Sequence, residues 1–141
     1  MFDSSLKLTG NLSVSINGKV VREVPNLVVT AGKAYVASRM KDATATAMSH
    51  MAIGTGSTAA ASSDTALGAE AARVALSSTT VAANTITYVA TFAAGTGSGS
   101  LTESAVLDST SSGTMLCRTV FAPVNKSASD QMSINWTVTI S

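Results

Sequence analysis

The chain has 141 residues and a formal net charge of +1, which excludes a protein drawn to nucleic acid or to an anionic membrane by bulk charge. Hydrophobic residues make up 45% and charged residues 12%, so the chain is globular rather than disordered, with a surface short of ions. Ala, Ser and Thr, at 23, 21 and 19 residues, take the place of those ions, and an uncharged polar surface is easier to desolvate against a neighbour than an ionic one.

The chain opens on clean alternation. Leu6, Leu8, Leu12, Val14 and Ile16 alternate with Lys7, Thr9, Asn11, Ser13 and Ser15, the period of a half-buried strand. Gly10 interrupts the pattern and reads as a bulge. Asn17-Gly18 is a two-residue hairpin signal, because both residue types tolerate positive φ. The return strand covers Lys19 to Val24, Pro25 breaks it, and Leu27-Val28-Val29 continue as a buried or edge piece. Thr30 reads as the N-cap of a short helix over Ala31 to Lys41, with Ala34, Val36, Ala37 and Met40 on one face. Ala43 to Ala47 is low-complexity loop.

Met48 to Ile53 reads as a strand that ends at Gly54-Thr55-Gly56, followed by a loop of small residues to Ser63. Asp64 to Glu70 has the content of one helical turn, capped by Asp64. Val74-Ala75-Leu76 resumes an extended run. Beyond Asn84, Ile86, Tyr88, Ala90 and Phe92 alternate with Thr85, Thr87, Val89 and Thr91 in a clear strand. Ala94 to Ser100 is a Gly/Ser loop. Leu101 to Leu107 is a strand with Glu103 embedded, and Met115 to Phe121 is another, stopped at Pro123. The last strand alternates Met132, Ile134, Trp136, Val138 and Ile140 with Ser133, Asn135, Thr137, Thr139 and Ser141.

Roughly eight evenly spaced strands and one short helix predict an all-β fold, a jelly-roll-like β-sandwich. No linker interrupts the pattern, so residues 1–141 read as a single domain. Met1 to Ser5 lacks the basic start and apolar run of a signal peptide, and no run approaches membrane-spanning length.

The residues predict no catalytic, cofactor or metal site. His50 is the sole histidine and Cys117 the sole cysteine, too few ligands for a zinc site. Ser49 beside His50 would point to the opposite face of a strand. Cys117 lies in an apolar stretch and reads as a buried small hydrophobe. The glycine loops 54–56 and 95–99 lack the lysine of a phosphate loop. Four charges among small and apolar neighbours look placed: Asp64, Glu70, Arg73 and Glu103, with Arg118 inside the 115–121 strand. A buried carboxylate needs a partner. Glu70 or Glu103 with Arg73 or Arg118 is therefore the candidate structural ion pair, within the chain or between copies.

Two blocks carry a resemblance. The first is Ile53-Gly54-Thr55-Gly56, then Asp64-Thr65, Leu67, Glu70 and Arg73. The second runs from Phe92 through Leu101-Thr102-Glu103 to Gly113, Met115-Leu116, Arg118-Thr119-Val120-Phe121, Pro123-Val124 and Lys126, with Trp136 in the final strand. Together they span about two-thirds of the chain and resemble structural proteins of tailed-phage virions: capsid cement (decoration) proteins and tail-fibre-associated minor proteins. Where that pattern commonly continues Thr-Glu-Ala-Gly-Leu, this chain has Ser104-Ala105-Val106, and no glycine turn is available there.

The resemblance implies a capsid cement protein, made in the bacterial host cytoplasm and placed on the virion's capsid surface. It would bind the major capsid protein and itself, as a homodimer or homotrimer, with no nucleic-acid or membrane partner. The alternatives are a tail-fibre or baseplate component and a host-glycan-binding module. The glycan reading wants clustered exposed aromatics, whereas Tyr35, Tyr88 and Trp136 read as core.

Overall fold

The structure, a computed structural model, describes residues 6–41 and 45–141. The elements run β1 (Leu8–Ile16), β2 (Lys19–Val28), α1 (Thr30–Lys41), β3 (His50–Gly54), β4 (Glu70–Ala75), β5 (Ser78–Ala82), β6 (Thr85–Phe92), β7 (Gly99–Leu107), β8 (Met115–Lys126) and β9 (Met132–Ile140). The fold is all-β: the strands form one curled antiparallel sheet in the order β4-β3-β7-β8-β2-β1-β9-β6-β5. Asn17 and Gly18 turn β1 into β2 with φ of 50° and 84°, the left-handed pair that such a tight turn demands.

The curl is made at β2. As far as Asn26 this strand pairs with β1, and its last two residues, Leu27 and Val28, pair with Arg118 and Cys117 of β8. Upstream of that short ladder, side chains bridge the gap. Arg22 donates to the carbonyls of Ala122 and Pro123, and Thr119 Oγ1 donates to the Pro25 carbonyl.

Neither proline ends its strand, contrary to the sequence reading. The Pro25 carbonyl faces β8, so its missing N–H lies on the side where no ladder runs. Pro123 sits in a bulge, because Leu101 pairs with Val124 while Glu103 pairs with Val120, and a bulge tolerates the lost donor. Gly10 marks no bulge, since the register shift falls between Val14 and Ser15. A Cβ at Gly10 would run into the Asn26 side chain.

The curled sheet wraps one core. Leu12 and Val14 of β1, Tyr88 and Phe92 of β6, and Met132, Ile134, Trp136 and Val138 of β9 meet Met51, Ile53, Val106 and Phe121 from the far end of the sheet. Burying each such chain stabilises by about 1.5–3 kcal/mol. The β3–β7–β8 part is buried on its other face as well, where Val29, Ala52, Ala105, Leu107 and Met115 form a second cluster joined by Ala31 and Leu67. The helix covers this region by close approach, for Gly32 is its buried residue and lies against the Leu116 carbonyl. Of the helix face expected from the sequence only Val36 packs against the core. Met40 is 78% exposed and Ala34 and Ala37 are exposed, whereas Tyr35 and Val36 reach the core.

Residues 64–69 form no helical turn; the backbone runs irregularly into β4. The stretch from Glu70 to Ala82 makes two strands, which brings the number among the described residues to nine. The expected loop at 43–47 falls partly, and residues 1–5 wholly, outside the described residues. No helix among the described residues is long and apolar enough to cross a membrane.

Candidate functional site

Glu103 lies on the second buried face of the sheet, wholly inaccessible to solvent. Its position in β7 opposes Gly54 of β3 and Val120 of β8. Three backbone N–H groups from the 55–69 loop donate to its carboxylate. Gly56 and Ala69 donate to Oε2, each at 2.7 Å, and Gly68 donates to Oε1 at 2.8 Å. Arg118 donates to Oε1 from Nη2 at 2.9 Å. Burial pushes this carboxyl upward, but the N–H groups of Ala69 and Gly68, the Arg118 guanidinium and the Gly56 N–H outweigh it and hold it below the usual carboxylate range.

Arg118, 2% exposed, extends the arrangement. Its Nη1 donates to Asp64 Oδ2 at 2.8 Å and its Nη2 to the Thr58 carbonyl at 3.0 Å. Asp64 Oδ2 also accepts from the Ala61 N–H. This is why residues 64–69 are not a helical turn: the Gly68 and Ala69 donors are committed to Glu103 and the Asp64 carboxylate to Arg118. The glycines belong to the same unit. A Cβ at Gly54 would stand 2.6 Å from Glu103 Oε2, and one at Gly56 would overlap the carboxylate. Gly54, Gly56, Asp64, Glu103 and Arg118 thus converge on one staple that fixes the long loop over the sheet.

The structure pairs Glu103 with Arg118 and, separately, Glu70 with Arg73 at 2.7 Å in an i,i+3 pair whose arginine is largely covered and whose glutamate is open to solvent. Arg73 also donates to the carbonyls of Ser109 and Ser112, tying β4 to the 109–112 turn. Sequence reasoning missed Asp64 as a partner of Arg118 and the glycines as a cradle. No pattern in the sequence joins them, since Gly56 and Gly68 precede Glu103 by 47 and 35 positions.

The other chemistry-bearing residues stay apart. His50 sits on the Ala52–Leu107 side of the sheet and Cys117, paired with Val106, on the opposite side. Burial pushes the Cys117 thiol far above its usual range. Ser49 Oγ and His50 Nδ1 lie 2.7 Å apart, which corrects the expectation of opposite faces: Ser49 precedes β3 and does not share its alternation. Among the described residues no three His, Cys, Asp or Glu side chains converge as a metal site. At the staple itself, the Arg118 guanidinium stands between Asp64 and Glu103, where a cation would have to sit.

Two surfaces complete the inventory. The outward face of the β1–β9–β6–β5 part is built from rows of uncharged residues. The registers align Thr9, Thr139 and Thr85, then Asn11, Thr137, Thr87 and Thr80, then Ser13, Asn135, Val89 and Ser78. Thr87 and Thr137 hydroxyls bond across the strands at 3.0 Å. Between α1 and β5–β6 lies an apolar groove of about 430 Å³, lined by Tyr35, Val36, Met48, Val81, Ile86 and Tyr88, among others.

No protein-family model matches the chain, and no curated protein or solved structure matches it.

Proposed function

We propose that this chain is a phage capsid cement protein, a jelly-roll-like β-sandwich that binds the outside of the major capsid protein shell and stabilises it. The observation that carries the reading is the uncharged hydroxyl face on β1, β9, β6 and β5. A protein partner can cover such a face without stripping ions of water, and Ser, Thr and Asn supply donors and acceptors to match a neighbour's. The Thr87 and Thr137 hydroxyls already bond across the strands, so those two side chains have less freedom to lose on docking. Cement proteins act by mass action over many copies, so each contact can be modest. The family resemblance of the 53–73 and 92–126 blocks supports a virion role in general, and tail-fibre or baseplate association is the alternative it leaves.

The test adds the purified chain to expanded shells of the cognate major capsid protein. Saturable binding at capsomer stoichiometry and a higher disruption temperature are expected. Thr87→Lys with Asn135→Lys puts two ions on the face, and weakening by at least about tenfold, about 1.4 kcal/mol, is expected. Absence of binding by the unaltered chain overturns the cement role and directs the search to tail partners.

A further inference from the structure

Among the described residues the curled sheet ends in two strands that pair on one side only, and they differ. One is β4, which carries Glu70 and Arg73. The other is β5, Ser78–Ala82, every residue of which is exposed. Residues 74–102 contain no Asp, Glu, Lys, Arg or His. Natural edges are commonly guarded by charge or proline against pairing with another strand. β5 has neither guard, although Val81 is 71% exposed there.

The open backbone groups of β5 follow from its hairpin. Ala82 pairs with Thr85 across a two-residue turn at Ala83 and Asn84, where Ala83 has φ of 52°. Hydrogen-bonded and non-bonded pairs alternate from that turn. Ala82, Thr80 and Ser78 therefore bond to β6, and the N–H and C=O groups of Thr79 and Val81 face outward.

We propose that β5 is a self-pairing edge, joining two copies of this chain antiparallel about a two-fold axis through Thr80. In that register Thr79 of each copy meets Val81 of the other, and their four outward N–H groups find four outward carbonyls. The side chains also sort correctly. Thr79 and Val81 both lie on the groove side, opposite Tyr88 and Ile86, while Ser78, Thr80 and Ala82 continue the hydroxyl rows. Pairing extends that face unbroken across the dimer and brings Val81 over the mouths of the two apolar grooves. With no charge on the hairpin, like charges do not oppose one another across the axis.

An interface of two five-residue strands is small, so the isolated dimer is weak and transient. Copies held on a common shell would pair at a far higher effective concentration. The inference deepens the assembly reading above, from which it takes the premise that copies meet. It is tested on the isolated chain, so its failure and a failure to bind shells are separate results.

Sedimentation of the isolated chain up to about 0.3 mM, where weak interfaces register, is expected to show a reversible dimer of the 14.2 kDa monomer. Val81→Pro removes an outward N–H and leaves the β6 ladder intact, and Val81→Lys adds a charge at an exposed position. Each is expected to weaken the dimer at least about tenfold. Val81→Lys decides the matter if the proline variant does not fold. Under mild oxidation Thr80→Cys is expected to cross-link to its own copy across the axis, and Ala82→Cys, which faces Ser78 of the other copy, is not. A monomer at all concentrations, a dimer indifferent to Val81→Lys, or equal cross-linking at positions 80 and 82 overturns the proposal. So does a monomer whose edge accepts only a strand from another protein.

Discussion

Glu103 is a buried carboxylate whose donors come from two sources, the loop N–H groups of Gly56, Gly68 and Ala69 and the Nε and Nη2 of Arg118. A carboxyl held below its ordinary value of 4.5 in the folded state contributes stability above that pH and loses it as pH falls through the folded value. Stability measured by denaturant titration is therefore expected to decline with acidification below about pH 4.5 through this group. Glu103→Gln breaks the ion pair and leaves one amide oxygen to face the loop N–H donors. Arg118 keeps Asp64, so the expected loss at neutral pH lies at the lower end of the range for broken buried pairs, about 3 kcal/mol. The variant should also show a shallower acid decline, and an unchanged decline would assign it to other carboxylates. The pairing of an embedded acid with an embedded arginine was legible from their apolar neighbours. Choosing among the four pairings needed the fold, because the register that sets Arg118, opposite Ala105, diagonal to Glu103 is a property of β7 and β8 together.

At the scale of elements, small residues decide how closely pieces approach. The helix lies on β8 through Gly32, where any Cβ would enter the Leu116 carbonyl. Gly32→Val is expected to lift α1 and cost about 1–3 kcal/mol, read from thermal melting together with faster exchange of the α1 amides. Gly56→Ala pushes a methyl into the Glu103 carboxylate. The expected result is release of the 55–69 loop, seen as faster proteolysis in the loop while the exchange of β9 amides stays slow. The alternating strands β1, β6 and β9 were readable because one face is core and the other is open, which writes a period of two into the sequence. β8 was harder. It is buried along most of its length, crosses a bulge at Pro123 and carries no simple alternation. The helix face was misread for a related reason: contact through a glycine leaves no apolar stripe.

Over the whole molecule, both ends of the sheet contribute to one core, so the protein is expected to unfold in one step. Two natural reporters test this. Trp136 in β9 and Cys117 in β8 are both wholly buried, and they lie in parts of the sheet joined mainly at β2. Trp136 fluorescence and Cys117 thiol exposure should follow the same denaturant curve. Separate transitions would show that the two-residue ladder between β2 and β8 leaves the parts independent. Among the described residues the buried Trp136 Nε1 has no hydrogen-bond partner. Such an unpaired group costs about 1–3 kcal/mol unless water reaches it.

The sequence by itself determined the all-β class, the Asn17-Gly18 turn and the alternation that places hydroxyl residues on one face of β1, β6 and β9. These are local: alternation and positive φ act within a few positions of the chain. Tertiary structure alone decided the course of β2 from one neighbour to another, the survival of strands through Pro25 and Pro123, and the loss of a helical turn at 64–69. It also decided which two ends of the sheet stay open, and that only β4 bears charge. Each depends on where a backbone donor or acceptor finds its partner, and those partners lie far away along the chain, as Gly56 and Gly68 do from Glu103.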